Sequence, residues 1–351
     1  MPGTRAFLDL SGARLPLVQA PMAGFAGAEL AIAAIGAGAV GSLACATLSP
    51  DAVVAAVAAI RAVVRGPINL NVFCHRLGAL PDTAAWEAQL APCYVAEDLS
   101  RPTSQPPLRR PFDEAMADAI EATRPAFVSF HFGLPEARLL AAVRASGAKL
   151  IGNATTVAEA RFLRGQGCDA IIAQGFEAGG HAGHFLHGHR PVGLLALIPQ
   201  IVDAVDVPVI AAGGIADERG AAAAIMLGAA AVQVGTAYLR TPEAYTSAPH
   251  RAALDGATAD DSVFTNLFSG GLARGLRNRL IDAIGPVSDA APPFPYASAA
   301  LAPLRAHAES DGRGDYSPLW AGQGVALARA EPAAAITRRL GEAALAMMEP
   351  A

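Results

Sequence analysis

The sequence predicts an α/β fold, a (β/α)8 barrel with an additional, mainly helical cap segment. Three observations predict it. Short apolar runs alternate with Ala-rich helical stretches between residues 15 and 240, and the runs number eight. Most of them are continuously apolar rather than alternating, as parallel strands covered on both faces are. A right-handed crossover at each step closes eight such units into a barrel, although an open doubly wound sheet uses the same units.

The expected strands are LPLVQAPM (15–22), AVGSLACA (39–46), INLNVF (68–73), FVSFHFG (127–133), KLIGNAT (149–155), AIIAQG (170–175), VPVIAAGG (207–214) and AAVQVGT (230–236). Helix signals lie between them. Ser49-Pro50-Asp51 supplies an N-cap, a proline at N1 and an acid at the positive helix end. Thr156 to Glu159 reads as a capping box, and Pro135 opens EARLLAAVRASG. Residues 221–239 are apolar enough to suggest a membrane span, but Gly228 divides them into helix and strand, and Gln233 and Thr236 would lie unpaired in lipid. Gly36, Gly38 and Gly41 spell GxGxxG, yet the string follows a helix and precedes a strand, the reverse of the dinucleotide-binding context.

Residues 1–240 are expected to form the barrel. Within them 74–126, rich in proline (Pro81, Pro92, Pro102, Pro106, Pro107, Pro111), reads as an irregular insertion. Residues 241–324 read as the cap and 325–351 as a C-terminal helix packing back on the barrel. Of 351 residues 53% are hydrophobic and 16% charged, with a net charge of −5, which excludes a disordered chain. That charge gives no reason to expect nucleic acid or an anionic membrane as partner. Cys45, Cys74, Cys93 and Cys168 form no CxxC pair, and the N-terminus lacks the pattern of an export signal. Both facts point to a reducing, cytoplasmic setting.

A barrel of this type carries its site at the C-terminal strand ends. Lys149, the sole lysine, begins the fifth strand on the opposite face, which argues against Schiff-base chemistry. The glycines after the seventh and eighth strands (Gly213, Gly214, Gly235) allow bare main-chain amides to approach a phosphate, which binds there in many barrels. His181 lies between glycine pairs just past the sixth strand, where a neutral imidazole can act as base or hydrogen-bond donor. His184, His187 and His189 follow in a Gly-rich loop without an acidic residue, which reads as a solvated loop rather than a metal site. His131 faces either core or ligand. Amides at several strand ends suit a planar, neutral, phosphorylated ligand, and this physics alone does not separate FMN from a phosphosugar.

The set QAPMAG (19–24), INLNVF (68–73), VSFHFG (128–133), QGFEAGGHAG (174–183), PVIAAGGI (208–215), QVGT (233–236) and LWAGQG (319–324) resembles the bacterial nitronate monooxygenases over nearly the whole chain. The resemblance implies an FMN-binding TIM barrel that oxidises alkyl nitronates, such as propionate 3-nitronate, with O2 to a carbonyl compound and nitrite. It would work as a monomer or homodimer without a metal. It implies that Pro21, Met22 and Ala23 line the flavin, with Asn69 and Gln174 at the ring edge. Gly179, Gly180, Gly213 and Gly214 would approach the ribityl-phosphate, and Gln233, Val234, Gly235 and Thr236 would complete the phosphate clamp. His181 matches the family's catalytic histidine, and His131 and Tyr296 fall on the substrate side. The cap lacks the further tyrosine and lysine of the best-known members, which leaves Arg274 as the expected charge anchor. An FMN-dependent NAD(P)H:quinone or enoyl-thioester reductase shares the same loops and is the rival reading.

Overall fold

A computed structural model describes residues 2–101 and 108–348. The barrel strands are β1 (Leu17–Gln19), β2 (Gly41–Ala44), β3 (Ile68–Phe73), β4 (Phe127–His131), β5 (Lys149–Ala154) and β6 (Ala170–Gln174). A short strand, β7 (Gly180–His181), lies outside the barrel, and β8 (Val209–Ala212) and β9 (Ala231–Val234) complete it. All eight expected runs are strands, paired in parallel in the order β1-β9-β8-β6-β5-β4-β3-β2. A parallel bridge between Val18 and Val40 joins β1 to the segment entering β2 and closes the ring.

The local signals act largely as read. Ser49 Oγ accepts from the Ala52 amide at 3.2 Å and opens the helix Pro50–Val63. Thr156 Oγ1 accepts from the Glu159 amide at 3.2 Å, but the Glu159 carboxylate reaches one residue further back, to the Thr155 amide at 2.8 Å. Gly228, at φ +101°, separates the helix Glu218–Met226 from β9, and among the described residues no helix is long and apolar enough to cross a membrane. The helix Pro2–Ser11 closes the N-terminal end of the barrel, where Phe7 packs with Val18, Phe127, Ile151 and Ile210.

Two expectations are corrected. The segment 74–126 is not irregular throughout: it holds the helices Ala84–Ala96 and Glu114–Thr123, while Pro102, Pro106 and Pro107 lie outside the described residues. Pro92 sits inside the first of these helices. Packing outweighs its helix-breaking tendency, because Trp86, Leu90 and Tyr94 bury against Leu267, Leu280, Leu301 and Leu304 of the cap. The second correction concerns the cap itself. Besides helices such as Ser298–Ser310 it contains a hairpin, β10 (Ser262–Thr265) and β11 (Ala273–Leu276), and β11 pairs antiparallel with β7. The register sets Ala273 opposite His181 and Arg274 opposite Gly180. The C-terminal helix Ala333–Ala346 buries Ile336, Leu340 and Ala344 against Leu17, Leu30 and Ile225.

Glu97, after the first insertion helix, ties it to the cap. It accepts from Arg313 at 2.6 Å, Arg279 at 2.7 Å and the Tyr316 hydroxyl at 2.9 Å. The hydrogen bond from Arg313 is the largest cause holding its carboxyl down at about 2. A depressed carboxylate contributes stability above its unfolded value, about 4.3, and loses that contribution as pH falls toward 2. Glu97→Gln is therefore expected to lower stability by about 1–3 kcal/mol at pH 7. In a thermal-melt series against pH, the gap between the two proteins should shrink as acid protonates the wild-type carboxylate.

Candidate active site

A cavity opens at the C-terminal ends of the barrel strands and, with its mouth, spans about 1200 Å³. That is ample for a nucleotide-sized ligand. Pro21, Met22 and Ala23 of the first loop line one side, and Gly213, Gly214, Gln233, Gly235 and Thr236 line the wall beyond β8 and β9. Gln174, Gly179, Gly180, His181 and His131 complete the predicted residues that meet there. Among the described residues no Asp or Glu side chain lines the cavity.

The wall beyond β8 and β9 is built from main chain. Gly213 and Gly214 take φ of +125° and +67°, which a side chain rarely tolerates. The amides of Gly213, Gly214, Gly235 and Thr236 find no acceptor among the described residues. Beside them, Gln233 Oε1 is buried without a hydrogen-bond partner. Free donors in a row together with an orphaned acceptor describe a site prepared for a polar ligand.

His181 is held from two directions. The Gln174 amide donates to the His181 carbonyl at 2.8 Å, and Gln174 Oε1 accepts from Asn153 Nδ2 and the Gly183 amide, both at 2.9 Å. From the cap, β11 pairs with the His181 segment. The ring packs against Phe73, Phe132, Phe294 and Trp320, with centroids 5.1–6.1 Å away. Its Nε2 lies 2.8 Å from Ser269 Oγ, which in turn lies 3.3 Å from the Gly271 carbonyl. Burial is the largest cause holding the imidazole well below its ordinary value of 6.5, and the Arg109 charge pushes the same way. Desolvation likewise brings His131, stacked on Phe73, down to about 4. Both rings are neutral at physiological pH.

A family model for nitronate monooxygenase matches residues 5–342. The nitronate monooxygenase of Pseudomonas aeruginosa strain PAO1 is 39% identical over 346 residues, 97% of this chain and 99% of that protein. The chain belongs to the nitronate monooxygenase family. The corresponding enzyme of Paraburkholderia phytofirmans is 40% identical over 348 residues, 96% of this chain and 94% of that one. The solved nitroalkane oxidase of Streptomyces ansochromogenes matches with a TM-score of 0.87 and 34% identity, covering 98% of this chain and 99% of that chain. FabK from Thermotoga maritima, at 23% identity and a TM-score of 0.71, shares the fold. As a nitronate monooxygenase the protein is an oxidoreductase of a flavin-dependent family that oxidises nitronates with O2.

Within this cavity, four assignments need revision. Asn69 lies one layer below the cavity, where its Nδ2 donates to Ser42 Oγ at 3.0 Å; Asn71, two residues on along the same strand face, lines the cavity instead. The Val234 side chain is in the core, and only its carbonyl serves the site region, accepting from the Ala20 amide at 2.8 Å. Tyr296 does not line the cavity; its hydroxyl donates to the Gly78 carbonyl at 2.9 Å. Arg274 is a strut rather than an anchor. It lies 4.4 Å from the Phe176 and Phe264 ring centroids and donates to the Phe176 and Ser262 carbonyls. Glu177 caps the helix Leu194–Val202 through the Leu194 amide at 2.9 Å and supplies no base to the cavity. His184, His187 and His189 do not line the cavity, and among the described residues no three His, Cys, Asp or Glu side chains group as metal ligands.

Sequence reasoning missed Ser269, Trp320 and Arg109, which lie far from the strand ends in the chain. Gly179, besides lining the cavity, has a packing role that the sequence did not signal. A Cβ there would meet the Gly322 amide nitrogen at 2.6 Å and the Ala321 carbonyl carbon at 2.7 Å, so the glycine admits the 319–324 strap. Gly179→Ala should cost about 1–3 kcal/mol by overpacking. The expected signs are a lower melting temperature and a shifted emission from Trp320; unchanged values of both would refute the close fit.

Proposed function

We propose that the protein binds FMN in this cavity and oxidises alkyl nitronates there, with His181 as the residue that handles the substrate. The observation that carries the reading is the row of free amides at Gly213, Gly214, Gly235 and Thr236, with the orphaned Gln233 carbonyl beside it and an imidazole on the same cavity. The amides offer a phosphate several N–H donors without a charged side chain. Gln233 Oε1 offers an acceptor to a ring N–H, and the walls at Pro21, Met22 and Ala23 suit a flat apolar face. When bound, FMN supplies the electron acceptor that O2 regenerates.

The remaining chemistry belongs to the chain. Ser269 engages Nε2, which leaves Nδ1 of His181 for the ligand. A serine hydroxyl both donates and accepts, so the ring can take either neutral tautomer. With Nε2–H donating to Ser269 and Ser269 donating to the Gly271 carbonyl, Nδ1 holds a lone pair for the α-proton of a neutral nitroalkane. With Ser269 instead donating its hydroxyl hydrogen bond to Nε2, Nδ1–H can donate to a nitronate oxygen. The aromatic surround excludes water and keeps the imidazole uncharged, ready for either role.

Purified protein is expected to be yellow and to release FMN on denaturation, identified by mass. Under anaerobic conditions ethylnitronate should bleach it promptly and NADH should not; the opposite pattern would favour the reductase reading. Gly214→Asp, which brings a carboxylate to the phosphate, should abolish flavin binding while leaving the far-ultraviolet circular dichroism intact.

A second prediction separates base from binder. His181→Asn should reduce turnover of nitroethane by about 10²–10⁴-fold, the usual range for a general base, and that of pre-formed ethylnitronate much less. Because the folded imidazole is held below 6.5, it stays neutral as pH falls through that value. The acid limb for nitroethane should therefore lie well below pH 6.5. Equal losses on both substrates, or a limb at 6.5, would remove the base role.

A further inference from the structure

We propose that Arg109 is the residue that selects the anionic form of the substrate, by placing one uncompensated guanidinium charge on the side of the cavity opposite the phosphate cradle. This rests on the reading of the site as a nitronate-oxidising one.

The guanidinium belongs to the segment between the two insertion helices. The main chain there is pinned to the end of β3: the Phe112 amide donates to the Phe73 carbonyl at 2.8 Å, and the His75 ring lies 3.2 Å from the Arg109 carbonyl. Arg109 is half-buried and lines the same cavity as His181. It has no acidic partner among the described residues, while other arginines of the cap and insertion, such as Arg279 and Arg313, are paired. A half-buried cation facing a cavity without carboxylates needs an anion from outside the chain.

Topology says which anion. In the ring order, β3 and β8 are separated by four steps in either direction, so they face each other across the barrel. Gly213 and Gly214 follow β8, whereas Arg109 is tied to β3. Phe73, at the end of β3, also lies against both the His131 and His181 rings, so the charge sits near the imidazoles and across the barrel from the amides that suit a phosphate. Both imidazoles are neutral, which leaves Arg109 as the cation among the described cavity residues. A nitronate carries one negative charge and its parent nitroalkane none. A site with one fixed cation discriminates between them by the strength of a charge-assisted contact, about ten- to a hundredfold.

The test compares wild type with Arg109→Gln and Arg109→Lys as holoproteins. For Arg109→Gln, the KM for ethylnitronate should rise by about ten- to a hundredfold, with the KM for nitroethane within about twofold, and with flavin content and melting temperature unchanged. Arg109→Lys should recover most of the loss. The wild-type KM for ethylnitronate should also rise with ionic strength, and that of Arg109→Gln should not. Nitrite, a small anion, provides an arm independent of turnover. Its dissociation constant, read from the visible spectrum or Trp320 emission, should weaken at least tenfold in Arg109→Gln. Unchanged nitrite and ethylnitronate binding, an equal rise in the nitroethane KM, or loss of flavin from the variant would each overturn the assignment. If wild type fails to oxidise ethylnitronate, the functional reading falls, while the nitrite arm still decides whether Arg109 binds anions.

Discussion

The site depends on a single amide side chain. Gln174, at the end of β6, accepts from Asn153 and from the Gly183 amide and donates to the His181 carbonyl. All three partners are short of solvent, so breaking one leaves a buried polar group unpaired, which costs more than the bond itself contributes. The loop that carries the imidazole is thus locked to the barrel at its base. On its other side the pairing of β7 with β11 locks it to the cap. A loop with glycines at 179, 180 and 183 would otherwise hold a side chain poorly, and the two attachments supply the rigidity that its composition lacks.

The second constraint is dielectric. Phe73, Phe132, Phe294 and Trp320 surround the His181 ring. Removing water from an imidazole penalises its charged form, so the histidines remain neutral without a nearby carboxylate to tune them. The same exclusion strengthens whatever charge remains, and the guanidinium of Arg109 is that charge. The row of amides after β8 and β9 brings no charged side chain to the cavity, only oriented N–H groups. In the proposed reading, cofactor grip and substrate charge fall to different chemistry on opposite sides of one ring of strands.

The cap is inseparable from this arrangement. Its hydrophobic cluster includes Trp86, Leu90 and Tyr94 from the insertion after β3, and Glu97 binds the two segments through Arg279, Arg313 and Tyr316. The insertion also delivers Arg109 to the cavity. Ser269 and Trp320, from the cap, reach His181 itself. The cavity and the surround of His181 are assembled from barrel, insertion and cap together.

The sequence by itself determined the eight strands, their parallel order and the face that carries the site, because continuous apolar runs and helix caps are local signals. It also determined that glycines at 213, 214 and 235 and the histidine at 181 would meet, since the glycines directly follow strand ends and the histidine lies in the loop that leaves β6. Asn69 and Asn71 share a strand face, and only their depth along the barrel axis separates buried support from cavity wall. Tyr296 and Arg274 had suitable chemistry, but packing turned each toward a backbone carbonyl. The helix through Pro92, the β10–β11 hairpin, and the approach of Arg109, Ser269 and Trp320 were decided by tertiary structure. They depend on contacts between residues far apart in the chain, which neither periodicity nor a short motif can encode.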